Sequence, residues 1–173
     1  MVGSQDLVIR FEQEGDAGRI REVNRAAFPT HAEANLVDEL RRQLASVVSL
    51  VADDHDSIAG HILFSTVTLD GLADERILGL APMAVRPDRQ RQGIGSRLVR
   101  AGLAACQQAG ARAIVVVGHA AFYPRFGFVP ASRFRLHCEY DVPDDVFMAV
   151  ELDPGTLGAR GGLVRYHPAF ASL

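Results

Sequence analysis

Apolar positions recur in distinct rhythms along the chain, and each rhythm predicts its own kind of element. From Leu7 to Phe11 they alternate, the period of a strand with one covered face. After Gly15, where Asp16 can cap the next segment, Ile20, Val23, Ala27 and Phe28 return at helical spacing. Phe28-Pro29-Thr30-His31 breaks that helix, because the residue before a proline is pushed out of the α region. Leu36, Val37, Leu40 and Leu44 then mark a second short helix. Val47 to Ala52, Ile58 to Leu69 and Arg76 to Val85 are rich in branched residues and are separated by polar turns, Asp53-Asp54-His55-Asp56 and Asp70-Gly71. Neighbouring antiparallel strands follow.

Ile94 to Ala109 is the clearest helix. On a helical wheel Arg97, Arg100, Gln107 and Gln108 share one sector, with Ile94, Leu98, Val99, Ala101, Ala105 and Cys106 across from it, and Gly110 ends the run. Ala113 to Val117 is continuously apolar, as in a buried strand lying parallel to Ile77–Val85 across the helix of a right-handed βαβ unit. Pro82 interrupts the earlier strand and predicts a bulge or an edge there, since proline cannot donate to the ladder. A short helical stretch near Ala120 to Arg125, closing strands at Phe134 to Glu139 and Val146 to Leu152, and a loop from Gly155 to Gly162 complete the pattern.

Composition narrows the class. With 173 residues, 48% hydrophobic and 23% charged, the chain matches a single globular domain spanning 1–173. Its 18 basic and 21 acidic residues give a formal charge of -3, which offers no broad attraction to nucleic acid or an anionic membrane, so an anion site has to be local. Met1 to Asp6 lacks a basic stretch leading into an apolar run, and no apolar segment approaches the roughly 20 residues that span a bilayer, so a cytoplasmic protein is expected. Cys106 and Cys138 sit at neither metal-ligand nor redox spacing and read as packing thiols.

The main chemical signal is Val85-Arg86-Pro87-Asp88-Arg89-Gln90-Arg91-Gln92-Gly93-Ile94-Gly95-Ser96-Arg97-Leu98, a polar, glycine-containing loop between a buried strand and a helix. N–H groups at a helix start lack intrahelical acceptors and lie at the positive end of the dipole, so a phosphate can satisfy several at once. No Lys-Ser or Lys-Thr follows the glycines, as a Walker A loop requires, and the third glycine of the dinucleotide fingerprint is missing. The order Gln90-x-x-Gly93-x-Gly95 resembles the pyrophosphate signature of the GNAT acetyltransferases, which has Gln or Arg first and Gly or Ala last. Further on, His119-Ala120-Ala121-Phe122-Tyr123-Pro124-Arg125-Phe126-Gly127-Phe128 resembles the aromatic-Tyr-x-Arg/Lys-x-Gly-Phe segment that the same family places beside the thioester. Within the family, the pairing of His119 with Tyr123-Pro124-Arg125-Phe126-Gly127-Phe128 resembles the predicted acetyltransferases related to bacterial YhbS.

The resemblance covers nearly the whole chain. It implies an α/β (α+β) GNAT fold: a central mixed, mostly antiparallel sheet of roughly six or seven strands, splayed between strands 4 and 5 and flanked by about four helices. It implies acetyl-CoA as co-substrate, no metal, and a small-molecule or peptide amine as acceptor, with a homodimer allowed by exposed strand edges. By this likeness Met83, Ala84 and Val85 pair through their backbone with the pantetheine arm, and Gln90, Arg91, Gln92, Gly93, Ile94, Gly95 and Ser96 hold the phosphates. A backbone N–H of Met83 or Ala84 faces the carbonyl oxygen of the thioester. Tyr123 fills the position of the general acid: a phenol of reference pKa near 10 protonates a thiolate of about 8.5 only mildly uphill.

The base is not readable. Glu33, with His31, borders the acceptor cleft in related folds and is the leading candidate, against a helix-capping or solvated role. His61 and His119 are expected to be structural, Phe122, Phe126 and Phe128 core, and Gly127 part of a turn, with Arg125 at the surface or on the phosphate side. Glu33, Asp38, Glu39, Asp141, Asp144 and Asp145 are acidic residues able to attract a cationic amine or simply to face water. Rival readings are a catalytically silent acyl-CoA sensor of the same fold, a nucleotide-binding module, and an interaction module whose glycines only turn the chain.

Overall fold

The computed structural model describes residues 7–44, 47–158 and 161–173. The expectation for Met1 to Asp6, and that part of the Gly155–Gly162 loop at residues 159–160, lie outside the described residues. Backbone proximity divides the chain into two compact units. The first holds the chain through Leu63 with Pro82–Gly102 and Ala169–Leu173, and the second holds Phe64–Ala81 and Leu103–Pro168.

In the first unit β1 (Val8–Phe11), α1 (Ala17–Ala27), α2 (Ala32–Gln43) and β2 (Val48–Asp53) precede β3 (Ile58–Leu69). β1 pairs antiparallel with β2, from Val8 opposite Asp53 to Phe11 opposite Leu50, and the order continues through β3 to β4 (Leu72–Val85). The helical spacing read in the sequence buries Ile20 and Val23 of α1 and Val37 of α2 with Val51 and Ile58 in one cluster. Each such side chain withdrawn from water stabilises the fold by roughly 1.5–3 kcal/mol.

Asp16 does begin α1, but its side chain does not cap the helix. The carboxylate instead pairs with Arg10 and Arg19 at 2.6 Å and accepts the Gln13 N–H at 2.8 Å. Two guanidinium groups outcompete the helix amides for a buried anion, and the Arg10 hydrogen bond foremost holds this carboxyl well below the usual range. Arg10 also reaches Asp53, tying β1 to β2.

In the second unit β4 lies parallel to β5 (Ala113–Val117), from Ile77 opposite Ala113 to Leu80 opposite Val116. β8 (Phe147–Glu151) pairs antiparallel with β5, β6 (Val129–Pro130) flanks β8, and β9 (Gly162–Arg165) pairs antiparallel with β3 and parallel with β7 (Leu136–Cys138). Among the described residues, nine strands thus make a mixed, mostly antiparallel sheet, with β3, β4 and α3 (Ile94–Gln108) running through both units. Asp70 and Gly71 both take positive φ, 52° and 80°, in the turn before β4.

Several sequence expectations shift here. The strand expected at Phe134 to Glu139 shrinks to β7 because Ala131–Phe134 closes a 3₁₀ turn ended by Arg135 at φ 57°. The tail of the expected Gly155–Gly162 loop starts β9, which the Asp70 carboxylate anchors through the Leu163 N–H at 2.8 Å. The helical stretch near Ala120 is a 3₁₀ turn, Tyr123–Phe126. α3 meets expectation with one shift: Ile94, Leu98, Val99, Ala105 and Cys106 are buried and Ala101 is half-buried, whereas Arg97, Arg100, Gln107 and Gln108 face water. Cys106 and Cys138 are free thiols, and burial pushes Cys106 up to about 12. No helix of the described residues is long and apolar enough to cross a membrane.

Candidate active site

The loop between β4 and α3 holds its shape with its own polar side chains. Arg86 pairs with Asp88 at 3.0 Å and donates to Ser57 Oγ at 3.0 Å, while Arg89 pairs with Asp54 at 2.6 Å. Both guanidinium groups therefore brace the loop against itself and the β2–β3 turn. Gln90 donates its side-chain amide to the Val85 carbonyl at 3.1 Å, and Gln92 to the Asp88 carbonyl at 3.3 Å. The two glutamines expected to meet the ligand use these amides to shape the loop, so what it offers an anion is its main-chain N–H groups together with the exposed Arg91 side chain.

Those groups are well set for an anion. Arg91 and Gly93 take φ 60° and 81°, turning the chain sharply into α3. The Arg97 N–H reaches the Gly93 carbonyl at 3.0 Å as the helix ladder begins, so the amides of Ile94, Gly95 and Ser96 come before any intrahelical acceptor. A Cβ at Gly93 would find nothing within 4 Å, so the space above it is open. Ile94 is buried and anchors the turn from below.

Gly60 was not singled out in the sequence, yet it seats this helix. A Cβ there would stand 2.9 Å from Leu98 Cδ1, 3.1 Å from the Ala84 carbonyl and 3.2 Å from Ile94 Cγ2. Its signal was present as a lone glycine within the apolar Ile58-Ala59-Gly60-His61-Ile62 run, the mark of a close backbone approach. β4 continues through the buried Pro82 and runs to Val85 beyond the Leu80–Val116 end of its parallel register. The two-residue Asp70-Gly71 turn sets Leu69 opposite Leu72, while the Arg86 N–H reaches the Ala59 carbonyl at 2.9 Å, so β4 takes up extra residues along the hairpin, in keeping with the irregularity expected at the proline. Met83 and Val85 are half-buried on that extension and Ala84 is buried.

Tyr123 is placed by packing. Its ring lies against Gly118, where a Cβ would come within 2.3 Å of Cε2. Phe122 and Phe128 meet the ring edge to face, with centroids 5.0 and 5.5 Å away. Burial pushes the phenol up to about 12. Of the phenylalanines expected in the core, Phe128 is buried while Phe122 and Phe126 are only half-buried, their outer faces partly covered by the Arg125 guanidinium 4.6 and 5.7 Å from their ring centres. Arg125 itself is a surface residue, and Gly127 at φ 91° closes the turn as expected.

His61 is buried and structural. Its Nδ1 faces Asn24 Nδ2 at 3.2 Å and its Nε2 faces Ser49 Oγ at 3.0 Å; Ser49 in turn meets Glu12, which Arg41 holds at 2.7 Å. Desolvation foremost depresses its pKa to about 3. His119 and His31 are exposed. Glu33 lies in the first turn of α2, half-buried, and its Oε2 is closed off from water with no hydrogen-bond partner among the described residues. Asp38 pairs with Arg21 and Arg41, Glu39 with Arg42, and Asp141, Asp144 and Asp145 face water. The loop, Met83 to Val85 and Glu33 belong to the first unit and Tyr123 to the second. Among the described residues no group of three or more His, Cys, Asp or Glu side chains could hold a metal.

Comparison with known proteins bears on this arrangement. Residues 45–130 match the acetyltransferase (GNAT) domain family. The chain is 36% identical over 165 residues to the N-acetyltransferase YhbS of Escherichia coli K12, covering 95% of this chain and 98% of that one. It is 37% identical over 143 residues to the N-acetyltransferase YjhQ of the same organism, covering 80% and 79%. The crystal structure of E. coli YhbS in complex with CoA superposes with a TM-score of 0.91 at 34% identity over 99% of this chain and 95% of that one. A Brucella melitensis acetyltransferase in complex with acetyl-CoA superposes at 0.80, with 36% identity over 96% and 99%.

Proposed function

The chain belongs to the GNAT acetyltransferase family, and from that premise we propose that it transfers an acetyl group from acetyl-CoA to a primary amine by direct attack in a ternary complex, residues 1–173 acting as one domain. The observation that carries the reading is the start of α3, where the Ile94, Gly95 and Ser96 amides precede any intrahelical acceptor beneath open space at Gly93. That arrangement fits a pyrophosphate.

Acetyl-CoA supplies the activated acyl group. The Gln90 to Ser96 backbone binds its phosphates, and the extension of β4 from Met83 to Val85 offers N–H and C=O groups to the pantetheine arm as a strand would. A Met83 or Ala84 N–H stabilises the negative charge that grows on the carbonyl oxygen as the amine nitrogen bonds to the carbonyl carbon. The C–S bond then breaks, and Tyr123 protonates the departing sulfur. The burial that raises the phenol also raises a thiolate formed against it, so the proton transfer is governed by their difference and not by the phenol alone. Glu33 takes the proton that the nitrogen sheds. The acceptor is a small-molecule or peptide amine, in keeping with the family.

Calorimetric titration with acetyl-CoA, CoA and ATP tests the reading, beside a variant carrying Gly93→Trp and Gly95→Trp. Micromolar acetyl-CoA binding that the variant loses, with no competition from ATP, is expected. Absence of acetyl-CoA binding by the wild-type protein contradicts it.

A further inference from the structure

Arg125 stands in the turn that carries Tyr123, yet no step of the transfer uses it. Its guanidinium is engaged by rings and a carbonyl. The group lies 4.6 Å from the Phe122 ring centre and 5.7 Å from that of Phe126, and Nε donates to the Phe122 carbonyl at 3.2 Å. The Arg125 main-chain N–H reaches the same carbonyl at 3.4 Å, so one residue holds Phe122 by its backbone and covers it with its side chain. The 3₁₀ turn Tyr123–Phe126 makes this possible: at about three residues per turn, positions i and i+3 eclipse, which brings Arg125 over Phe122. Phe122 and Phe126 meet at 5.1 Å, and Phe122 meets Tyr123 edge to face at 5.0 Å. Tyr123 thus has Gly118 beneath it, the buried Phe128 on one side and the half-buried Phe122 on another. The core around Phe128 holds that ring. Phe122 has Arg125 across its outer face, and all these residues lie in the second unit.

We propose that Arg125 is a positioning residue for the acid: it clamps the Phe122 ring to the turn, so that Phe122 holds the Tyr123 phenol in place, and it is not a ligand of the cofactor phosphates. The proposal rests on the reading of Tyr123 as proton donor to the sulfur and adds what keeps that donor in position. A cation on an exposed ring face contributes little to overall stability. Proton transfer depends steeply on where the donor sits, so the effect of losing the clamp falls on kcat and not on folding or on acetyl-CoA affinity. A lysine keeps the charge but lacks both the flat guanidinium that lies on the rings and the Nε donor.

The test uses the full chain labelled with 3-fluorotyrosine, whose Tyr123, Tyr140 and Tyr166 give three fluorine resonances, that of Tyr123 being assigned by its loss in Tyr123→Phe. In R125A the Tyr123 resonance is expected to shift or broaden while the other two stay, with acetyl-CoA affinity unchanged. Thiol release at saturating acetyl-CoA with a panel of primary amines is expected to show kcat about tenfold lower, equivalent to about 1.4 kcal/mol. In the Tyr123→Phe background the same substitution should have no further effect, since both changes then act on one step. An unmoved Tyr123 resonance, an unchanged kcat, or a loss of the same size in the Tyr123→Phe background overturns the proposal. Acetyl-CoA binding weakened in R125A and restored in R125K identifies a phosphate ligand and likewise overturns it. Should R125A fail to fold, Phe122→Leu removes the ring that Arg125 holds; a Tyr123 resonance left unmoved by that change overturns the proposal, and a shifted one supports it. Thiol release that Tyr123→Phe does not slow is the separate signature of a failed acid reading, and the proposal falls with it.

Discussion

From Arg86 to Ser96 the chain is polar, largely exposed and shaped by hydrogen bonds between its own side chains and main chain. From Gly118 to Phe128 it is shaped by rings packed on a glycine. The first segment offers backbone amides at a helix start and the second a single phenol. The difference predicts opposite sensitivities. The loop should tolerate changes of side chain and suffer from changes of backbone conformation, while the tyrosine turn should suffer from a change of volume at a position that carries no chemistry.

Gly118→Ala sharpens the contrast most. The added Cβ would stand 2.3 Å from the Tyr123 ring, so the ring must leave its seat. Turnover should fall at least as far as in Tyr123→Phe, while calorimetry still finds acetyl-CoA bound. Tyr123→Phe comes next: losing the acid should lower kcat by about a hundredfold or more with little change in melting temperature. A kcat within a fewfold of wild type would show that the phenol only packs.

Gly93→Ala should have a smaller effect. The space at its Cβ is open, so the cost is the left-handed backbone at φ 81°, about 1–2 kcal/mol, read as roughly tenfold weaker acetyl-CoA binding. Retained affinity would break the claim that this turn aims the amides.

The smallest effect concerns neither segment and calibrates the scaffold. His61 is held near pKa 3 against about 6.5 when unfolded, so the unfolded chain binds more protons across that window. The His61 contribution to stability should level off as pH rises above about 6.5 and fall with decreasing pH below it, by at most about 1.4 kcal/mol per pH unit. Urea midpoints between pH 6.5 and 4.5, where Asp16 does not yet take up its proton, should show this slope in the wild type and lose it in His61→Gln. A flat wild-type profile would contradict the neutral, buried histidine.

These segments were unequally legible in the sequence. The loop announced itself because its function needs residue types found at few other places, glycines spaced at a helix start. The length and branched character of β3 fixed its bounds as Ile58–Leu69, and Asp70-Gly71 marked the turn after it. Gly118 and Gly60 were missed because each matters only for what packs on it, and neither partner is a sequence neighbour at a patterned spacing. Asp16 was read as a cap because local chemistry favours that role, while its arginines lie where only the folded chain brings them. β9 escaped because four residues after two glycines hold too little pattern, its pairing being set by Asp70 far upstream. Glu33 could be named, but its unpartnered oxygen could not, since an absence is visible only once every neighbour is placed.

The central claim is that this chain binds acetyl-CoA through the start of α3 and uses it to acetylate an amine. The most direct measurement is acetyl-CoA-dependent thiol release by the wild-type protein over a panel of primary amines, beside Tyr123→Phe and the doubly substituted Gly93→Trp, Gly95→Trp chain. The account predicts amine-dependent release that the first variant slows while still binding acetyl-CoA, and that the second abolishes together with binding. Acetyl-CoA binding without release for any amine would contradict catalysis and leave an acyl-CoA sensor; no binding at all would contradict the account as a whole.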